Sequence, residues 1–307
     1  MFSYKQENYK NYGKCIYMTN GTAEVVATLE KGPRIVRYAL IGRDNILYDN
    51  AESFAPNSNP DFEKYYGTGK AFNIYGGHRL WLAKELYPET YYPDNDEINF
   101  EIIENGVILT PPPQTENGVQ LGMKIVLDET GSGVTVEHTV KNIGDTAKEC
   151  ALWAITVSAT NGTEIIPLNT NDAGFQANGK IAYWQYTDLR LENIYIGKKY
   201  ATVLQPDADA LKLGFDLKNG RVYYVTKDCV FTKSYTPNYP DGIYPDGGVS
   251  FETYSCSFYT ELETLGELKK LSAGQTATHT EKWEIFDKPC DFDPKDENSI
   301  DEFLKKI

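Results

Sequence analysis

Histidine is scarce in this chain, which has only His78, His138 and His279 in 307 residues. Cysteine is little commoner. The five, at positions 15, 150, 229, 256 and 290, form no CxxC pair and no Cys/His cluster. That odd, scattered set argues against a disulfide framework or a zinc site and points to buried thiols in a reducing compartment. Basic charge is also short. The chain has 30 Lys and Arg against 44 Asp and Glu, a net charge of -14 and a pI near 4.8. Such a surface repels phosphate backbones and anionic bilayers, so neither nucleic acid nor membrane is an expected partner. A neutral sugar or a cation is compatible with it. No apolar run approaches the ~18 residues of a membrane span. The opening MFSYKQENYKNYGK has no apolar stretch of the signal-peptide kind, so a cytoplasmic protein is expected.

Strand-forming residues are abundant. The 23 Tyr and 13 Phe are joined by many Val, Ile and Thr, with 25 Gly and 15 Pro falling between short apolar runs. This favours many short strands over long helices. CIYMTNGTAEVVATLEKGPRIVRYALIGRDNILYDN reads as a meander of three or four strands, punctuated at Asn20-Gly21, Gly32-Pro33 and Gly42-Arg43. Residues 50–75 lack periodicity and read as a long loop, a kind of segment that is often functional. Strands resume from Glu97. Turns are expected at Asn105-Gly106, Gly131–Gly133 and Asn161-Gly162, and LKLGFDLKNGRVYYVT reads as the clearest hairpin. VSFETYSCSFYTELETLG reads as one long strand, and KKLSAGQTATHTEKWEIF as one or two more. In the tail, Ile300, Phe303, Leu304 and Ile307 have helical spacing. Ser299 and Glu302 have capping-box spacing, giving a short helix within residues 295–307. The expectation is one mostly β domain over 1–307, a large antiparallel sandwich with a C-terminal helix.

Four pieces of sequence resemble the galactose mutarotase-like superfamily, which includes aldose 1-epimerase. They are TAEVVATLEKGPRIVRYALIGRDNILYD, GGHRLW, VTVEHTVKNIGDTAKECALWAIT and FYTELETLGELKKLSAGQTATHTEKWEIF. With YYPDN, the segment GGHRLWLAKE is similar to an uncharacterised branch of that superfamily. The resemblance implies a twisted antiparallel β super-sandwich whose concave face binds a monosaccharide, with a glutamate as general base and a histidine as general acid. It makes Glu263, in LETL, the first candidate for the base. Glu261 shares its facing, because strand side chains repeat every two residues, while Leu262 and Thr264 point away. His78 lies where the family places a sugar-contacting residue. The family's second histidine, in the middle strand, is missing: ALWAITVSATNG offers Trp153 and Thr156 instead. Sugar binding is therefore better supported than mutarotation.

The chemistry of the residues themselves bears on the same roles. Opening a pyranose needs a base at the anomeric hydroxyl and an acid at the ring oxygen, each contributing ~10²–10⁴-fold. Glu263 or Glu261 can be the base. The acid would be His78, a tyrosine or a lysine. His138 shares a strand face with Val134, Val136 and Val140, which marks it as a core residue. His279 lies between threonines and is expected to face solvent or a neighbouring strand. His78 follows two glycines, which permit close approach of a ligand.

Arg79 offers a rigid fork of donors for vicinal hydroxyls or a carboxylate, or else a salt bridge to Glu85, Glu89 or Asp94. Trp81 is a platform for a sugar ring or a core residue. Tyr91, Tyr92 and Asp94 form a polar-aromatic cluster beside Glu85. The YPD repeats are ordinary turns, although Tyr244 and Asp246 could edge a cleft. Lys233 ends an apolar strand, as a solvated charge or as part of the site. Carboxylates two apart on a strand raise glycoside hydrolysis as a third reading. No metal spacing and no cofactor motif is seen. An isomerase of the aldose 1-epimerase type and a non-catalytic sugar-binding protein stay open together, as do the sugar, the oligomeric state and any bound cation.

Overall fold

The computed structural model describes residues 1–50, 56–205, 209–288 and 291–307. Two large sheets of antiparallel strands carry the fold. The path of the first runs Ser3–Asn8, Lys14–Thr19, Ala23–Thr28, Ile35–Leu40, His78–Ala83, Lys148–Ser158, Thr260–Leu265, Phe251–Ser255, Leu211–Phe215 and Ile181–Tyr183. Lys269–Leu271 adds an eleventh strand against the start of Lys148–Ser158. The second sheet has ten strands. Its centre is Arg221–Val225, Cys229–Tyr235, Thr276–Asp287, Val134–Asn142 and Val119–Leu127. Leu262, Phe251, Leu213 and Phe215 of the first sheet meet Phe231, Tyr224, Trp283 and Ile125 of the second in one core.

The local patterns explain which strands lie where. Thr276–Asp287 alternates exposed and buried residues over most of its length, as a strand with one wet face must. Lys148–Ser158 does not alternate, and its apolar run suits a strand covered on both faces. Inward, Cys150 and Leu152 pack with Leu80, Val119, Val140 and Leu271. Outward, Ala151, Trp153, Ile155 and Val157 pack with Ala83, Trp81, Leu265 and Tyr259. The tail forms the helix Glu297–Leu304, with Ile300 and Phe303 buried against Ile165, Val225 and Val230.

Several expectations need correction. LKLGFDLKNGRVYYVT is not a hairpin: Leu211–Phe215 pairs with Phe251–Ser255 in the first sheet, while Arg221–Val225 lies in the second. A turn signal marks a reversal, but it does not decide whether the chain returns to the same sheet. VSFETYSCSFYTELETLG is two paired strands, Phe251–Ser255 and Thr260–Leu265. The 50–75 segment is not wholly loop, since it contains the helix Pro60–Tyr66 and a small pair of strands, Pro56–Asn57 and Phe72–Asn73. Positions 51–55 of that segment lie outside the described residues. The tail helix is capped by Asp296, which accepts from the Asn298 N–H, rather than by Ser299. Cys15, Cys150 and Cys256 are buried free thiols and Cys229 is half-buried. Cys290 lies outside the described residues.

The double glycine before His78 is required by the backbone. Gly76 and Gly77 have φ of +72° and +68°, and a Cβ on Gly77 would sit 2.3 Å from the Ile35 carbonyl oxygen. The Gly77 N–H donates to Tyr48 O at 2.8 Å, and its own carbonyl accepts from Val157 at 3.0 Å. Alanine at Gly77 should therefore combine left-handed strain with a backbone clash. We expect Gly77→Ala to lower unfolding stability by about 2 kcal/mol or more in urea titration. An unchanged midpoint would show that the strand entry relaxes freely.

Candidate functional site

The outer face of the eleven-stranded sheet is where chemistry collects. Cross-strand register places Arg79, Ile155, Glu263, Glu252 and Gly214 in one row. Trp81, Trp153 and Leu265 form the row beside it. Val157, Glu261, Tyr254 and Lys212 form a third row on the other side. All share one face because side chains alternate along each strand. Above them opens a cleft of about 440 Å³, bordered by Arg79, Trp81, Trp153, Lys212, Tyr254 and Glu261 among others. A neighbouring lobe of about 400 Å³ adds Trp184, Asp246 and Glu252. Aromatic rings wall it. Trp81 meets Trp153 edge-on at 5.5 Å between centroids and Tyr91 at 5.0 Å. The Arg79 guanidinium lies 4.3 Å over Trp81, and its Nη2 reaches Glu261 at 3.5 Å.

Lys212 organises the floor. Its Nζ lies 2.9 Å from Glu252 Oε2 and 2.9 Å from Glu263 Oε2, and 4.5 Å and 4.9 Å from the centroids of Trp153 and Trp184. Burial opposes its charge, but Glu263 and Glu252 outweigh burial and hold it above the usual lysine range. Glu263 Oε2 also accepts from Trp153 Nε1 at 2.6 Å. The other oxygen of each carboxyl, Glu252 Oε1 and Glu263 Oε1, is buried without a protein partner. Burial pushes Glu252 up to about 8 against the pull of Lys212, and Glu261 up to about 7 against that of Arg79.

A second polar cluster lies on the opposite side of the same sheet, sealed between the two layers. Lys233, with no exposure at all, reaches across from the second sheet. Its Nζ is 2.9 Å from Ala154 O, 2.8 Å from Leu262 O, 2.9 Å from Thr156 Oγ1 and 2.9 Å from Glu281 Oε1. Burial pulls Lys233 down while Glu281 pulls it up. Burial resists charge on Glu281 too, but Lys233 and the hydrogen bond from Thr264 hold its carboxyl below its ordinary value. Glu281 also accepts from Trp283 Nε1 at 3.0 Å and from the Thr264 hydroxyl.

All three histidines of the chain surround this pair. Thr156, which accepts from Lys233, shares a hydrogen bond of 2.9 Å with His78 Nδ1, and His78 Nε2 shares another of 2.7 Å with His138 Nε2. His138 Nδ1 has no protein partner, and the residue borders a narrow cavity of about 100 Å³ between the sheets. Burial drives His138 down to about 3 and His279 to about 4, and lowers His78 well below its ordinary value. Ligand atoms of His78, His138 and Glu281 lie within 4.8 Å of one another. That spacing could suit a metal ion, but Lys233 already neutralises the carboxylate. A divalent cation beside that ammonium would add like charge in a sealed interior. The group therefore reads as an ion pair with neutral imidazoles.

The residues singled out in the sequence thus separate. Arg79, Trp81, Glu85 and Glu261 border the cleft, with Glu85 accepting from the Tyr91 hydroxyl. Glu263 faces the same side but is covered, beneath Trp153 and Lys212. His78 does not face the cleft. It neighbours Arg79 on a strand, so it must point to the opposite side, and it is fully buried there. Lys233 is likewise interior rather than solvated or substrate-facing, and His279 is buried, donating to Thr264 at 2.7 Å, rather than facing solvent. Asp94 pairs with Arg34 at 2.7 Å, and Tyr92 packs on Tyr66. Both border the inner cavity instead of the cleft. Tyr244 is buried, its phenol accepting from the Asn238 N–H, while Asp246 does edge the cleft. The reading of the sequence missed Lys212, Glu252 and Trp184. A lysine inside LKLGF and a glutamate inside VSFETY, each amid apolar strand residues, were the available signals.

Neither a family model nor a curated protein matches the sequence. Solved structures do match the fold. A galactose mutarotase-like protein from Lactobacillus casei aligns over 89% of this chain and 100% of its own, with a TM-score of 0.58 and 12% identity. A candidate aldose 1-epimerase from Klebsiella pneumoniae aligns over 100% and 87%, at 0.61 and 10%. Another from Escherichia coli aligns over 94% and 100%, at 0.56 and 10%. This chain therefore has the galactose mutarotase-like fold, as the sequence resemblance implied.

Two tests address the buried charges. Lys233→Met strands Glu281 in the interior, so we expect a loss of about 3–5 kcal/mol in chemical denaturation. A loss under about 1 kcal/mol would mean that water reaches the pair. The second test concerns Glu164, fully buried with the Thr253 hydroxyl as its polar neighbour and pushed by burial from 4.5 to about 8. Between those values the unfolded chain is ionised there and the folded one is not, so stability falls as pH rises. The histidines act oppositely, costing stability as pH drops below their ordinary 6.5. Glu164→Gln should therefore raise the melting temperature near pH 8, with a gain that shrinks towards pH 4.5. A gain independent of pH would contradict this.

Proposed function

We propose that the cleft binds a monosaccharide or a close sugar derivative in its ring form. The observation that carries this is the make-up of the cleft. Flat indole and phenol faces stand beside a few convergent polar groups, Arg79, Lys212, Glu252 and Glu261. A pyranose has apolar C–H faces and a polar rim, so rings pack on its faces while charged donors and acceptors take its hydroxyls. The volume falls in the usual range for small-molecule sites, and the strands that carry these groups are rigid. The likeness of fold to a galactose mutarotase-like protein and to candidate aldose 1-epimerases supports the same reading. Binding without turnover is compatible with the absence of any histidine from the cleft among the described residues.

The test is a thermal-shift screen of common aldoses and uronic acids, followed by calorimetry on any that stabilise the protein. At least one should bind, and Trp81→Ala should weaken it by about tenfold, roughly 1.4 kcal/mol. A screen in which no sugar raises the melting temperature, or a Trp81→Ala variant of unchanged affinity, would remove this cleft as the sugar site.

A further inference from the structure

We propose that the cleft takes an amino sugar, a monosaccharide ring carrying a protonated amine, and that Glu252 and Asp246 receive its ammonium in the lobe walled by Trp153 and Trp184. This rests on the reading of the cleft as a monosaccharide site and names the class of sugar. Four carboxyls border the two lobes, Glu85, Asp246, Glu252 and Glu261, against three cations, Arg79, Lys84 and Lys212. Lys212 is moreover shared. Its Nζ lies 2.9 Å from Glu252 Oε2 and 2.9 Å from Glu263 Oε2, so one ammonium serves two carboxyls. Glu252 is 1% exposed and borders the lobe, and its Oε1 is buried without a protein partner, although buried polar atoms are nearly always satisfied. Asp246 stands exposed at the edge of the same lobe, near enough for its charge to act on Glu252. The lobe is therefore short of one cation, and the shortage is centred on Glu252.

A sugar hydroxyl would satisfy Glu252 Oε1 but leave the charge balance as it is. An ammonium supplies the donor and the missing charge together, and charge-assisted hydrogen bonds are about twice as strong as neutral ones. The walls suit it as well. Indole faces attract cations, and Trp153 and Trp184 already stand 4.5 Å and 4.9 Å from the Lys212 ammonium. A calcium ion would instead ask for about six to eight oxygen ligands, which a lobe walled by aromatic rings does not offer. Burial pushes Glu252 up to about 8 against the pull of Lys212, so below that pH the unliganded carboxyl holds a proton that an arriving ammonium would expel to the buffer. The charges facing Glu252 are Lys212 and Glu263 on the two neighbouring strands and Asp246 on the loop before its own. Lys84, Glu85, Tyr87 and Tyr91 lie across the lobe.

The experiment is calorimetry on the full chain with glucosamine, galactosamine and mannosamine, each beside its N-acetyl form and its parent hexose, at mildly acid pH where the amines are charged. At least one amine should bind about tenfold or more tightly than its parent hexose, and N-acetylation should remove that gain. Repeating the titration in buffers of different ionisation enthalpy should show a proton released on binding. Asp246 has a φ of +50°, a backbone that asparagine also tolerates, so Asp246→Asn should keep the loop and lose most of the gain. Glu252→Gln should lose the gain and the proton release together; if it fails to fold, Asp246→Asn and the wild-type proton count still decide. Equal affinity for amine and hexose, tighter binding of glucuronic acid than of any amine, amine binding without proton release, or a gain that survives both substitutions would each overturn the assignment while leaving the sugar site intact. Stabilisation by calcium chloride alone that Asp246→Asn removes would mark a metal site instead, and overturn it too. Failure of every sugar to bind, charged or neutral, would overturn the site reading, and this proposal with it.

Discussion

A lysine and a glutamate sealed between two sheets cannot be parted without leaving a bare charge in an apolar interior. Lys233 and Glu281 are in that position, and much of the molecule is arranged around them. Both stand on neighbouring strands of the second sheet, yet Lys233 spends its protons on backbone carbonyls of the first, at Ala154 and Leu262. The pair therefore ties the layers together as well as neutralising itself. It also settles the state of the three histidines. Crowded by burial and by a cation, they stay neutral: His78 and His138 continue a hydrogen-bond chain from Thr156, and His279 bonds to Thr264.

That use of histidine leaves the outer face to other chemistry. There the fold gathers carboxyl groups, one lysine, one arginine and a wall of aromatic rings. Lys212 is to this face what Lys233 is to the interior: a cation holding carboxyls at fixed positions. The difference lies in access. Lys233 has every donor committed inside a closed seam, whereas Lys212 borders an open cleft and pairs with carboxyls that each keep one oxygen free. Similar residue types thus serve cohesion on one side of a single sheet and border an open cleft on the other.

Much of the fold was legible because it is written in short-range patterns. Alternation marked Val134–Asn142 and the facing of Glu261 with Glu263, and helical spacing marked Glu297–Leu304. The site was less legible. His78 and Arg79 were both assigned to the cleft, which adjacent residues of one strand cannot satisfy; period two already required a choice between them. What decided the choice was which side of His78–Ala83 met the second sheet, a fact of packing. Lys212 and Glu252 escaped notice because each has an ordinary place on its own strand and gains meaning only from its neighbour across the sheet.

The sequence by itself determined the strand-rich class, the turns, the acidic surface and the resemblance to the mutarotase-like fold, because each depends on composition or on residues near one another in the chain. Only the tertiary structure decided that Leu211–Phe215 and Arg221–Val225 part into different sheets, that the histidines turn inward, and that Glu252, Glu263 and Lys212 meet. The reason is physical. Sheet register brings together residues far apart in the chain, and burial, which sets their charge and their partners, exists only once both layers have closed.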